Sequence, residues 1–218
     1  KNILVQNCEF YRWTYSGMTV LVECENIKIL DNTFDTALAQ NTPQTYTFAT
    51  GGETLGEGEF FVKNLWIERN KFLNNPRWEG IDTHGGENIW ILNNYVENCR
   101  TGVMCGLATG YVSLPVLKNI YIEDNIIIQG NGQDDQSGIV INGDDTNTVS
   151  MAEHVIIRGN KIKGFGGTSS GIIGSITLYL VKNITVDDND IDEYAQSAVM
   201  LYYAVWGAKI NNNRLSNC

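Results

Sequence analysis

The chain has 218 residues, 43% of them hydrophobic, which is enough for one well-buried core. Fifteen Lys and Arg against 25 Asp and Glu leave a formal charge of −10, which excludes the basic footprint that DNA, RNA or heparin needs. No apolar run reaches the roughly 20 residues that span a bilayer, so neither a nucleic-acid nor a membrane partner is expected.

Taken in chain order, one nonapeptide keeps returning: Asn, apolar, any, apolar, two polar residues, Asn, any, apolar. It reads NILVQNCEF from Asn2, NIKILDNTF from Asn26, NLWIERNKF from Asn64 and NIWILNNYV from Asn88. It continues as NIYIEDNII from Asn119, HVIIRGNKI from His154, NITVDDNDI from Asn183 and GAKINNNRL from Gly207. The seventh residue falls at positions 8, 32, 70, 94, 125, 160, 189 and 213, giving intervals of 24, 38, 24, 31, 35, 29 and 24. A minimum of 24 that recurs three times marks one coil, and the longer intervals mark a coil plus an inserted loop.

Apolar and polar residues alternate within each nonapeptide, which is the pattern of a strand with one buried face. A second alternating stretch lies between markers: GMTVLV, GIDTH, GVMCG, GIVING, SITLYL and SAVMLYY. Short strands at this period, with no helix to carry a crossover, exclude a βαβ sheet, and a propeller would need four strands in a repeat near 40 residues. The expected fold is all-β: a right-handed, single-stranded parallel β-helix of about eight coils, ~40 Å long, with an asparagine ladder at one corner. Asparagine suits that corner because it tolerates left-handed backbone and its amides can bond along the axis. Cys8 takes the ladder position in the first coil, and His154 stands where Asn usually heads the nonapeptide, a structural place. The cysteines (Cys8, Cys24, Cys99, Cys105, Cys218) form no CxxC pair and are read as small buried hydrophobes. Residues 1–218 make a single domain that starts inside one nonapeptide and stops just after another, so it is read as a fragment of a longer chain.

One phrase departs from the repeat in a way the fold does not require: Trp78-Glu79-Gly80-Ile81-Asp82-Thr83-His84-Gly85-Gly86. Alternation turns Ile81 and Thr83 into the bore and Asp82 and His84 outward, about 7 Å apart along the strand. Other coils offer Val20 and Val22, Met104 and Gly106, Val140 and Asn142, or Thr177 and Tyr179 at those positions, so only this coil pairs a carboxylate with an imidazole. Asp82 and His84 are therefore the candidate acid–base groups. Arg77 and Glu79 lead into that strand, and Arg100, one coil on, is placed to hold an anionic sugar group. Asn142, Asp144 and Asp145 should extend the same face, while Trp78, Trp66, Trp90, Tyr111 and Tyr179 are candidates for stacking on sugar rings. One imidazole and one carboxylate are too few for zinc; the acidic run from Asp187 to Glu193 is the one candidate for Ca2+. The longest insertions, at 36–57, 107–116 and 143–153, flank the Asp82–His84 coil like the walls of a cleft.

The coil repeat resembles the pectin-lyase-like superfamily of right-handed β-helices, which includes pectate lyases, alginate C5-epimerases, β-helical glycosidases and phage tail spikes. GIDTHGGENIWILNN looks like the alginate epimerase signature, and by that resemblance Asp82 and His84 match the family's catalytic Asp and His. Gly85 stands where the family has Glu, and Gly106 where it has a second catalytic Asp. The resemblance implies an extracellular or virion-surface protein that cleaves or modifies a polysaccharide as a lyase, hydrolase or epimerase. The alternative is a non-catalytic tail-spike or adhesin rod binding a cell-surface glycan, a homotrimer if a tail spike and otherwise a monomer.

Overall fold

A computed structural model describes residues 2–20, 24–38, 45–51, 62–107, 117–130, 137–143, 151–165, 173–194 and 196–217. The first coil consists of β1 (Ile3–Gln6), β2 (Glu9–Tyr11) and β3 (Ser16–Val20), the second of β4 (Glu25–Leu30), β5 (Thr33–Asp35) and β6 (Tyr46–Thr50). In the third, β7 (Lys63–Glu68) is followed by a long β8 (Lys71–His84) that covers two sides, and the fourth repeats this with β9 (Gly86–Leu92) and β10 (Tyr95–Gly106). The fifth has β11 (Leu117–Glu123), β12 (Ile126–Ile128) and β13 (Ile139–Asn142); the sixth has β14 (Ala152–Arg158), β15 (Lys161–Lys163) and the start of β16 (Ile176–Asp187). The end of β16, β17 (Asp190–Asp192) and the start of β18 (Val199–Trp206) form the seventh. The end of β18, β19 (Lys209–Asn211) and β20 (Arg214–Ser216) form the eighth. Every described strand pairs in parallel with a neighbouring coil, those of the inner coils on both sides, so the chain is a right-handed parallel β-helix with three faces.

Inward residues fill the bore with Ile, Val and Leu, and Phe34 stacks between Phe10 and Phe72 at centroid distances of 4.5 and 5.0 Å. At the corner after each nonapeptide's apolar core, Asn32, Asn70, Asn94, Asn125, Asn160, Asn189 and Asn213 stack in one line. From Asn32 to Asn189 each Nδ2 donates to the Oδ1 of the next coil's asparagine at 2.9–3.1 Å, and the backbone N–H donates to the same oxygen. Asn32 caps this line by accepting from the Cys8 N–H at 2.9 Å. The left-handed backbone sits one residue earlier than the sequence argument put it. Asn7, Asp31, Arg69, Asn93, Asp124, Gly159, Asp188 and Asn212, with φ between 51° and 66°, turn the corner, and the ladder residue that follows each of them has no positive φ. The head of the nonapeptide is a second left-handed corner, and His154 adopts it with φ 54°, as Asn64 and Asn88 do at 56° and 59°.

Three expectations are corrected, on the insertion at 36–57, on Val20 and on the burial of Cys8 and Cys24. Residues 36–57 are not all insertion, because β6 (Tyr46–Thr50) lies inside them and supplies the third side of coil 2. Thr19, not Val20, occupies the outward row of Ala49 and Asp82; Val20 is buried in the bore with Thr50 and Thr83, and Val22 lies outside the described residues. Of the cysteines, Cys99 and Cys105 are buried, whereas Cys8 is exposed because no described coil lies beneath it, and Cys24 is half-buried.

Asn94 also satisfies a backbone carbonyl, that of Ile67. Asn94→Ala should therefore leave donors of coil 3 and that carbonyl unpaired in a dry interior, lowering stability by about 2–4 kcal/mol. Asn213→Ala, at a half-exposed end of the ladder, should cost clearly less, and denaturant unfolding of the two variants measures the difference.

Candidate functional site

The third face positions the site. Its inward row one residue before Met18, Phe48, Ile81, Val103, Ile139, Ile176 and Val199 holds only small side chains: Gly17, Thr47, Gly80, Gly102, Gly138, Ser175 and Ala198. A Cβ on Gly80 would lie 2.7 Å from Val96 Cγ1 and 2.9 Å from the Gly102 carbonyl, so the position points into the bore and tolerates nothing larger. Gly80 and Ile81 thus both face inward across a bend, and the residues on either side of them, Glu79 and Asp82, both emerge outward.

β8 also carries two residues more than β10 at this corner, where Asn75 aligns with Cys99 and Glu79 with Thr101. The extra segment, Pro76 to Trp78, bulges out and lays the Trp78 ring under the Arg100 guanidinium, 5.2 Å from the ring centroid. Arg77, in the same bulge, is exposed.

Asp82 is 2% exposed although it faces outward, because Ala49 below and Met104 above close over it in the outward row. His84 Nε2 lies 2.9 Å from Asp82 Oδ2, and its backbone N–H donates to Thr50 Oγ1 at 2.9 Å. Tyr46, from the coil below, stands edge-on to both rings, with centroids 5.9 Å from His84 and 6.4 Å from Trp78. Sequence reasoning missed this tyrosine along with its strand. The signal was the β-rich run Tyr46-Thr47-Phe48-Ala49-Thr50, which carries the branched Thr47 where the recognised stretches carry Gly, Ser or Ala.

Burial works against the His84 cation, but the hydrogen bond and charge of Asp82 outweigh it and raise its pKa above the usual imidazole value. Glu79 is pushed up to about 8, first by burial and then by the Asp82 charge, against the pull of its backbone hydrogen bond and Arg100. The same causes, burial first and then Asp82 and Glu79, push the Tyr46 phenol up to about 12. Glu79 Oε2 and Asp82 Oδ1 are buried with no hydrogen-bond partner. The arrangement can hold an imidazole oriented by a carboxylate and exchange a proton near neutral pH.

Of the other candidates, Asn142 and Tyr179 lie in the outward row of His84, two and three coils along, with Gly106 between. Met104 folds across the gap left by Gly106, its Cε 3.2 Å from where a Cβ would sit. Tyr179 packs its ring against Tyr202 and Tyr203. Trp66 and Trp90 are not brought to the site: they stack with Tyr121 on the first face, at 4.3 and 5.8 Å, their ring faces occupied by one another. Asp144, Asp145 and Tyr111 lie outside the described residues, as do most of the expected cleft walls. The acidic run is engaged elsewhere, with Asp190 paired to Arg214 at 2.6 Å, Glu193 to Lys163 at 3.0 Å, and Asn189 in the ladder. Among the described residues no group of three His, Cys, Asp or Glu side chains is placed to hold a metal ion.

No family model matches the chain, and no curated protein matches it. Among solved structures it is similar to that of the Streptococcus pneumoniae surface protein and adhesin PfbA, with a TM-score of 0.55 and 13% identity over 99% of this chain and 67% of that one. At that identity the likeness shows the β-helical fold alone.

Asp82→Asn removes the charge that raises His84 while burial remains, so the imidazole midpoint, followed by NMR, should fall below the ordinary value of about 6.5. In the unaltered protein the pair's stabilisation is complete below that value and is lost as pH rises through the raised folded midpoint. The Asp82→Asn protein should lack this loss in thermal melts.

Proposed function

We propose that this chain is a carbohydrate-engaging β-helix of an extracellular or virion surface, and that it holds its glycan against the outer side of coil 3. The observation that carries the reading is the half-buried group of Tyr46, Trp78, Arg100 and His84, where aromatic rings adjoin polar groups as sugar recognition requires. Non-catalytic binding, in the manner of an adhesin or tail-spike rod, is supported by the likeness to a solved surface adhesin. Arg100 over Trp78 offers a cation to an anionic sugar, and Asn142 and Tyr179 lie along the row a longer glycan would follow. Membership of the pectin-lyase-like superfamily belongs to this proposal as well.

A second reading, turnover of the bound polysaccharide, is favoured by one specific observation: the buried Asp82 carboxylate bonded to His84. A rod that only adheres has no need of so costly an arrangement. With Asp82 fixing Nε2, His84 Nδ1 is the ring nitrogen free to give or take a proton.

A panel of bacterial and plant polysaccharides separates the two, read by retention on the protein, by reducing ends and by the absorbance of unsaturated uronates. Trp78→Ala should weaken retention by about 5- to 10-fold, the worth of one stacked ring. If a substrate is turned over, His84→Ala should cut the rate on the order of 100-fold when assayed at a temperature where its melt shows it still folded, since it also leaves the buried Asp82 carboxylate without its partner. Retention with no product from either protein selects the adhesin reading; neither retention nor product from any glycan overturns both.

A further inference from the structure

Coil 1 shows how close the third face brings the two residues that flank its bend. Ser16 and Thr19, in the rows of Glu79 and Asp82, hydrogen-bond each other through their side chains, Oγ to Oγ1, at 2.8 Å. Higher up, Ser137 and Thr177 from the same two rows meet across adjacent coils at 3.0 Å. In coil 3 the two positions carry longer side chains that both end in carboxyl groups, each with one buried oxygen lacking a donor: Glu79 Oε2 and Asp82 Oδ1. Two bare carboxylates in that dry space would repel, and each would keep an oxygen unsatisfied; one proton between them removes both defects.

We propose that Glu79 is kept as the neutral acid and donates its proton to Asp82 Oδ1, so that Glu79, Asp82 and His84 form one hydrogen-bonded chain. Asp82 Oδ1 then accepts from Glu79 while Oδ2 accepts from His84 Nε2, which fixes the carboxylate plane and through it the imidazole. Glu79 is a positioning residue in this scheme, acting on His84 through Asp82 rather than on a ligand. The groups that face it from neighbouring elements are the Tyr46 phenol on β6 and Arg100 and the buried Cys99 thiol on β10. Of these only Arg100 favours the anion, and it is drawn over the Trp78 ring. Burial and Asp82 act the other way and hold Glu79 protonated up to about pH 8.

The proposal rests on coil 3 being the functional site, but its test needs no glycan, so a failed polysaccharide panel and a failed proton assignment are separate results. At about pH 6, where exposed carboxyls have titrated, infrared spectroscopy should show a protonated-carboxyl band that disappears in Glu79→Gln and, in the unaltered protein, bleaches near pH 8. Absence of the band overturns the proposal, and this holds even if the variant does not fold. In NMR titration, Glu79→Gln replaces one neutral donor by another, so the His84 midpoint should move by less than about 0.3 unit; a fall of about one unit would mean that a nearby anion had been lost, and would overturn it too. The linkage sign gives a third reading. The folded protein holds a proton that the unfolded chain releases above about pH 4.5, so its stability declines as pH rises to about 8 and then levels. The melting temperature of Glu79→Gln relative to the unaltered protein should therefore climb over that window and flatten above it; a constant difference sinks the idea.

Discussion

Everything in this molecule depends on coil-to-coil registration, and the asparagine ladder is what pins it. A parallel strand on a flat stack can slip by two residues and still pair its backbone, because the bore rows are chemically alike. The ladder forbids that. Each amide accepts from the N–H of the coil before it and donates to the asparagine of the coil after it, and the same Nδ2 also reaches a carbonyl on the preceding coil, as Asn125 does with Ile91. A slipped coil would break all of these at once inside a corner where water cannot replace them. Left-handed residues immediately before each amide set the turn, and even Arg69 takes that conformation, its guanidinium held by Asp31 of the neighbouring coil at 2.7 Å.

Registration turns the sequence into rows, and a residue's surroundings are then decided by coils a whole repeat away. The row Thr19, Ala49, Asp82, Met104, Val140, Thr177, Met200 shows this. Asp82 points away from the bore, yet it is as buried as a core residue because its partners above and below are apolar. No feature of GIDTH itself reveals that burial. The acidic character of the chain is absorbed in the same way on the first face, where Glu25, Lys63, Glu87, Lys118, Glu153 and Lys182 alternate in one row, with Lys118 pairing to Glu87 at 3.1 Å and Lys182 to Glu153 at 2.6 Å.

The fold was legible because the ladder, the alternation and the period are carried by residue identity: an asparagine stands at one place in coils 2 to 8, and a small residue at another. Where identity changed, legibility failed. Coil 2 uses Thr47 in the row of Gly17, Gly80, Gly102 and Gly138, so its third strand read as insertion and Tyr46 went unseen. The positive φ was assigned to the ladder amide because Asn favours it, yet Asp31, Arg69 and Gly159 show that the preceding position accepts unlike side chains, which no sequence pattern marks. Asp82 and His84 stood out as the one carboxylate–imidazole pair in outward positions. Glu79 was visible only as a neighbour, since its partnership with Asp82 needs the bend at Gly80 that makes two consecutive residues face inward.

That bend explains why coil 3, among coils of one plan, can hold acid chemistry. On an ordinary strand, residues three apart lie on opposite faces, and a carboxyl pair at that spacing cannot meet. Here the small-residue row collapses the pleat, so the flanking pair converges, as Ser16 with Thr19 in coil 1 and Gly174 with Thr177 in coil 6 do. Coil 1 spends the convergence on two hydroxyls, which bond without any change of protonation, as Ser16 and Thr19 do. Two carboxyls in the same place settle the matter with a proton, and the bulge at Pro76 to Trp78 sets an aromatic ring under the Arg100 guanidinium that faces Glu79. The electrostatics of the site therefore follow from three backbone facts, the bend, the bulge and the closing rows above and below, and the His84 imidazole inherits its orientation from all of them.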